Sequence, residues 1–119
     1  MISQRYRFHG HNSLRHVMSN NQITHSKFFA VRWMTNEHHH YPRVSVVVSK
    51  KVFKSAVKRN RIRRRIYEIV RHLLPDSPPV DVVISVYSAE ALTATHDELA
   101  IQLLPLLHQA GLKTHATHK

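Results

Sequence analysis

The chain has 119 residues, 18 Lys and Arg against 7 Asp and Glu, a formal net charge of +11 and no cysteine. That length suits one domain with a real core, and the missing thiols exclude disulfides and thiolate metal sites. No apolar run approaches the ~18 residues of a membrane span, and the opening MISQRYRF lacks an apolar h-region; a soluble cytoplasmic protein without a secretory signal is expected.

Residues 1–65 hold fifteen of the Lys and Arg and one acid, Glu37, whereas residues 66–119 hold three and six. Charge concentrated in one half of a chain attracts a polyanion and is costly to fold without one. A merely solubilising surface needs no such asymmetry. A membrane-surface helix would need a broad aromatic face that the basic segment lacks.

In chain order, residues 11–19 (HNSLRHVMS) predict a short helix, capped by Asn12 or Ser13, with Leu14, Val17 and Met18 on one face. Residues 27–35 (KFFAVRWMT) predict a strand. Phe29, Val31 and Trp33 point one way and are expected in the core; Phe28, Ala30, Arg32 and Met34 point the other way. After the polar connection NEHHHYP, residues 43–50 predict a strand with Val44, Val46 and Val48 on one face. A long helix follows over residues 55–74, ended by Pro75, Pro78 and Pro79. Residues 80–87 predict a third strand, with Val80, Val82, Ile84 and Val86 alternating. The last helix starts at Thr95, where Thr95 and Glu98 fit a capping box. Pro105 is expected to kink or split it, Gly111 to cap it, and residues 113–119 to form a loose tail. The order helix, strand, strand, long helix, strand, helix predicts a single domain over residues 1–119, an α/β two-layer sandwich with helices covering one small sheet.

At 100° per residue, Ile62, Ile66, Ile69 and Leu73 form the buried stripe of the long helix, with Val70 at its edge. Asn60, Arg64, Tyr67 and Arg71 cluster opposite. Lys58, Arg61 and Arg65 line one flank and Arg63 the other, while Arg59 is expected in the first turn, reaching outward. Arg64 and Glu68 are spaced for an i, i+4 ion pair. Cations crowd the N-terminal half, where the helix macrodipole opposes them at about 0.3–1 kcal/mol each. A purely structural helix would not choose this; an anion-binding one would. Arg outnumbers Lys five to one between residues 58 and 65, which suits bidentate phosphate contacts and base stacking.

The twelve histidines include His38, His39 and His40 beside Glu37. Consecutive residues rarely converge on one ion, so a solvated loop is expected there. His9, His11 and His16 could add positive charge near RNA at low pH. The seven acids are scattered, and no nucleophile motif appears, so the chain is expected to supply no catalytic group.

The stretch RVSVVVSKKVFKSAVKRNRIRRRIYE, residues 43–68, resembles the signature of the bacterial ribonuclease P protein component. The match is carried by Ser49, Lys50 and Lys51, then by Arg59, Asn60, Arg61, Ile62, Arg63 and Arg64. RYRFHGHNSLRHVM fits the same family's first helix, and the resemblance covers residues 5–112. It implies a mixed sheet with a left-handed βαβ crossover. It implies a catalytic RNA partner, precursor tRNA as substrate, and hydrolysis performed by the RNA with Mg²⁺ that the RNA mainly binds. On this resemblance the RNA-binding residues are Lys50, Lys51, Lys58, Arg59, Asn60, Arg61, Arg63, Arg64 and Tyr67. The 5′ leader is expected in a cleft between sheet and first helix, at Leu14, Met18, Phe28 and Arg32. The chain departs from the pattern at Leu14, Met18 and Arg32, where aromatic residues are common, at Val52-Phe53, where a glycine is common, and at Tyr67, where a basic residue is frequent. Phe28 or the Arg32 guanidinium could replace the usual stacking groups; Leu14 and Met18 could equally be core. Rival readings are a ribosomal-type structured-RNA binder and a stand-alone nuclease. A helix-turn-helix DNA binder fits less well, because strands flank the basic helix.

Overall fold

Three valines of one strand meet three residues of the next in register, and that pairing organises the molecule. The computed structural model describes residues 22–35 and 40–112, together with Tyr6, Val17 and Met18, and Asp76 through its backbone alone. The described strands are β1 (Ile23–His25), β2 (Phe29–Thr35), β3 (Arg43–Val48) and β4 (Val80–Val86), and the described helices are α1 (Ala56–Val70) and α2 (His96–Gln109). The strands form one sheet in the order β1-β2-β4-β3. β2 runs antiparallel to β1 and β4, and β3 runs parallel to β4. Parallel neighbours need a crossover, and α1 supplies it. The two-layer α/β sandwich expected from the sequence is the fold observed.

On the helix-covered face, three rows cross the sheet: Phe29–Val86–Val48, Val31–Ile84–Val46 and Trp33–Val82–Val44. Apart from the partly buried Trp33, these residues are buried, and Ile62 and Ile66 of α1 and Leu99, Leu103 and Leu107 of α2 complete the same cluster. Each fully buried aliphatic side chain contributes about 1.5–3 kcal/mol. The opposite face carries the rows Ala30–Ser85–Val47, Arg32–Val83–Ser45 and Met34–Asp81–Arg43. There Val17 packs on Val83 in a second, smaller cluster with Met34 and Val47.

β1 was not expected; three residues give too short an alternation to read. β4 is buried on both faces, Asp81 and Val83 included, because it lies between two strands with cover above and below. Asp81 receives a two-pronged ion pair from Arg43, Nε to Oδ1 at 2.9 Å and Nη2 to Oδ2 at 2.8 Å. α1 stops at Val70, a turn earlier than expected, and a 3-10 turn at Leu74–Asp76 takes over. Pro75 has no N–H for the Arg71 carbonyl and its ring crowds that carbonyl, so the helix ends a turn upstream.

α2 opens with the capping box: Thr95 N–H donates to Glu98 Oε1 and Glu98 N–H to Thr95 Oγ1, both at 3.1 Å. Pro105 does not split it; the helix runs through to Gln109. Pro105 and Ile101 are both exposed, so the carbonyl left without its helical partner lies on the solvent side. Gly111, at φ +102°, ends the helix, with Gly111 N–H on His108 O and Leu112 N–H on Leu107 O. That bond pair is the Schellman arrangement, whose left-handed residue favours glycine. The expected helix over residues 11–19 lies outside the described residues except for Val17 and Met18, which are helical; the tail 113–119 lies outside them altogether.

Candidate nucleic-acid interface

Residues 49–65 set cations on a rigid frame. After β3, Ser49 O accepts from Val52 N–H at 3.1 Å and Phe53 N–H at 3.2 Å, and the turn presents Lys50 and Lys51 to solvent. Ser55 caps α1, its hydroxyl accepting from Lys58 N–H at 3.3 Å. The first turn of α1 contains no acid. Lys58, Asn60, Arg61 and Arg64 are exposed along the helix, and Arg63 is half-buried. Arg63 donates to Asn60 Oδ1 at 2.7 Å, which fixes that pair as one unit.

Two predicted contact residues do other work. Tyr67 was expected beside Asn60 and Arg64 on the open face. It is buried, and its hydroxyl accepts from Val46 N–H at 3.2 Å. β3 is an edge strand, so the long phenol reaches the sheet edge and satisfies a donor there. Arg59, expected to reach outward, bends back instead. Its guanidinium donates to Phe53 O at 2.8 Å and Lys54 O at 2.9 Å, tying down the β3–α1 connection.

Arg65 shows the same kind of deviation. It donates to the carbonyls of Ala91, Leu92 and Ala94, which joins α1 to the segment before α2. Spacing alone placed it on a flank with Arg61; no local signal distinguishes the two. Glu68 pairs with Arg71 at 3.0 Å rather than with Arg64. Arg61, Arg64, Arg65, Glu68 and His96 line a surface hollow of about 320 Å³ between the two helices.

The expected leader residues have different surroundings. Met18 is 37% exposed and Arg32 is half-buried on β2. Phe28 is a correction: it is buried in the main core, edge-on to Phe29 with ring centroids 6.0 Å apart. A ring so enclosed cannot offer a face to a base. Leu14 lies outside the described residues, as do His38 and His39; His40 is exposed.

Among the described residues, no group of three His, Asp or Glu stands close enough to hold a metal ion, and the buried Asp81 is engaged by Arg43. These donors do not fit a Mg²⁺ site. Nor is any described helix long and apolar enough to cross a membrane.

The chain that carries this Lys-Lys turn and Arg-Asn-Arg helix start matches the family model described as Ribonuclease P, over residues 2–111. The chain belongs to the ribonuclease P protein family. The ribonuclease P protein component of Xanthomonas axonopodis pv. citri is 40% identical over 88 residues, 74% of this chain and 59% of that protein. That of Xanthomonas oryzae pv. oryzae is 38% identical over 95 residues, 80% of this chain and 63% of its own length. The chain thus spans less than two thirds of the length of these curated relatives. Among solved structures, a Staphylococcus aureus RNase P protein mutant with defective mRNA degradation activity aligns at TM-score 0.80 and 22% identity, covering 91% of this chain and 90% of that one. The Thermotoga maritima RNase P protein, solved with 1-(4-fluorophenyl)-2-thiourea, aligns at TM-score 0.74 and 23% identity over 85% and 96%. Ribonuclease P proteins of such distant sequence share this fold.

Proposed function

We propose that the chain is the protein subunit of ribonuclease P, acting in the cytoplasm. It binds the catalytic RNA and the 5′ leader of precursor tRNA, and so assists endonucleolytic removal of the leader. The RNA performs the hydrolysis with Mg²⁺ that it holds itself; no step runs through a protein carboxylate. The observation that carries this reading is the solvent face of α1. Lys58, Arg61 and Arg64 stand exposed on a capped helix with no acid in its first turn, beside Lys50 and Lys51. Lys58 lies in the positive first turn, and the guanidinium groups left to solvent along the next two turns are suited to phosphate.

The test is cleavage of labelled precursor tRNA by the chain alone, by the catalytic RNA alone, and by both at low Mg²⁺. The protein alone should leave the precursor intact, and adding it to the RNA should raise leader removal. Metal-dependent cleavage by RNA-free protein, abolished by a point substitution, would overturn the proposal. RNA binding with no effect on cleavage would point instead to a structured-RNA binder without a processing role.

A further inference from the structure

Of the described aromatic residues, only Tyr87 is exposed, at 49%. Within the described residues its hydroxyl has no hydrogen-bond partner. Its backbone, by contrast, is fixed. Tyr87 N–H donates to Phe28 O at 3.1 Å, which extends the β2–β4 ladder one step beyond Phe29↔Val86. The same end of the sheet holds cations. Lys27 precedes Phe28, opposite Tyr87; Lys50 and Lys51 follow Ser49, the next residue along the β3–β4 register. All three lysines are exposed. One carboxylate stands nearby, Glu90, at 3.5 Å from Lys27 Nζ.

We propose that Tyr87 is a stacking platform for an unpaired nucleobase, with Lys27, Lys50 and Lys51 holding the phosphates on either side. An aromatic ring stacks on any base because every base has a π-face, and flanking ammonium groups track the backbone without reading sequence. A single exposed tyrosine is by itself ordinary surface. What sets this one apart is a backbone fixed to the sheet, a half-exposed ring and three lysines at the same end of the sheet. The inference rests on the RNA-subunit reading. It adds a contact to those expected at Met18 and Arg32 and supplies the stacking group that the buried Phe28 cannot. The base can come from the 5′ leader or from an unpaired stretch of the catalytic RNA.

The experiment is a binding titration with holoenzymes carrying wild-type, Tyr87→Ala or Tyr87→Phe protein. The RNAs are precursor tRNA with a long leader, and mature tRNA, and assembly with the catalytic RNA is titrated separately. Tyr87→Ala should lose roughly five- to 150-fold in one of these affinities, with an unchanged melting temperature, and Tyr87→Phe should retain it. A loss confined to leader-bearing precursor identifies the leader as the stacked strand. A loss confined to assembly identifies the catalytic RNA. No loss, or a loss as large in Tyr87→Phe, overturns the proposal. If wild-type holoenzyme itself does not prefer precursor and the chain does not bind the catalytic RNA, the RNA-subunit reading fails instead.

Discussion

The guanidinium of Arg65 donates to the carbonyl of Leu92 at 2.8 Å, while Arg64, its neighbour in the chain, stands exposed at the rim of the same hollow. One helical step of 100° separates a cation spent on the fold from one left for a partner. In Arg65 the charge also meets the carbonyls of Ala91 and Ala94; Ala91 belongs to a 3-10 turn over Ala89–Leu92, whose end leaves carbonyls short of partners.

The two arginines should therefore fail differently. If Arg64 holds a phosphate, Arg64→Ala should cost about 1.5–3 kcal/mol, or roughly ten- to hundredfold in RNA affinity. It should leave the melting temperature unchanged. Arg65→Ala strands carbonyls and should cost about 1–3 kcal/mol of stability, with an unaltered salt dependence of RNA binding. Chemical denaturation and filter binding on both variants measure the pair of effects. A normal RNA affinity for Arg64→Ala would remove α1 from the interface.

Counterion release sets the scale for the whole basic face. With about four to six phosphates neutralised on single-stranded RNA, log K should fall against log salt with a slope of about −3 to −4. Titration between low and moderate salt measures it. A flat response would mean that the exposed cations do not grip RNA.

Tyr67 gives a prediction of the opposite kind. Tyr67→Phe keeps the ring and deletes the acceptor for the buried Val46 N–H. An unsatisfied buried donor costs about 1–3 kcal/mol, so the denaturation midpoint should drop. RNA affinity measured well below the new midpoint should hold, because the hydroxyl never faces the RNA. A lost affinity with unchanged stability would contradict the burial.

The sheet and the buried stripe of α1 were legible because each rests on one periodicity. Val44, Val46 and Val48 alternate, and Ile62, Ile66 and Ile69 recur at helical spacing. The fates of Arg59, Arg65 and Tyr67 were not legible. Each depends on a backbone group brought close by the fold: the Phe53 carbonyl, the 91–94 carbonyls and the β3 edge. A helical wheel assigns a direction at Cα, but a long side chain can bend to a partner some residues away in space. Phe28 was misread because strand alternation was extended one residue past the point where β2 begins.

The capping box makes stability depend on acid. The Thr95 backbone N–H, followed by its hydroxyl, holds the Glu98 carboxyl below its ordinary value. A lowered folded-state pKa means that the contribution is complete above the unfolded-state pKa and disappears as pH falls through the folded-state one. Thr95→Ala should cost about 1 kcal/mol at neutral pH. Glu98→Gln should flatten the acid limb of the stability profile. Thermal melts across that limb, with Asp97→Asn as a neighbouring control, decide whether Glu98 is the responsive group.

Val17 and Met18 divide anchoring from presentation. Val17 is 1% exposed, packed on the buried Val83, while Met18 is 37% exposed. Val17→Ala should therefore destabilise by about 1.5–3 kcal/mol, lowering affinity for every RNA only as far as it unfolds the chain. Met18→Ala should barely move the melting temperature. If Met18 borders the leader cleft, that variant should weaken holoenzyme binding to precursor with a long leader and leave mature tRNA binding nearly unchanged. Titration of both RNAs against each holoenzyme, after melts of the free proteins, separates the two roles. Equal losses for precursor and mature tRNA in Met18→Ala would remove the leader from this face of the sheet.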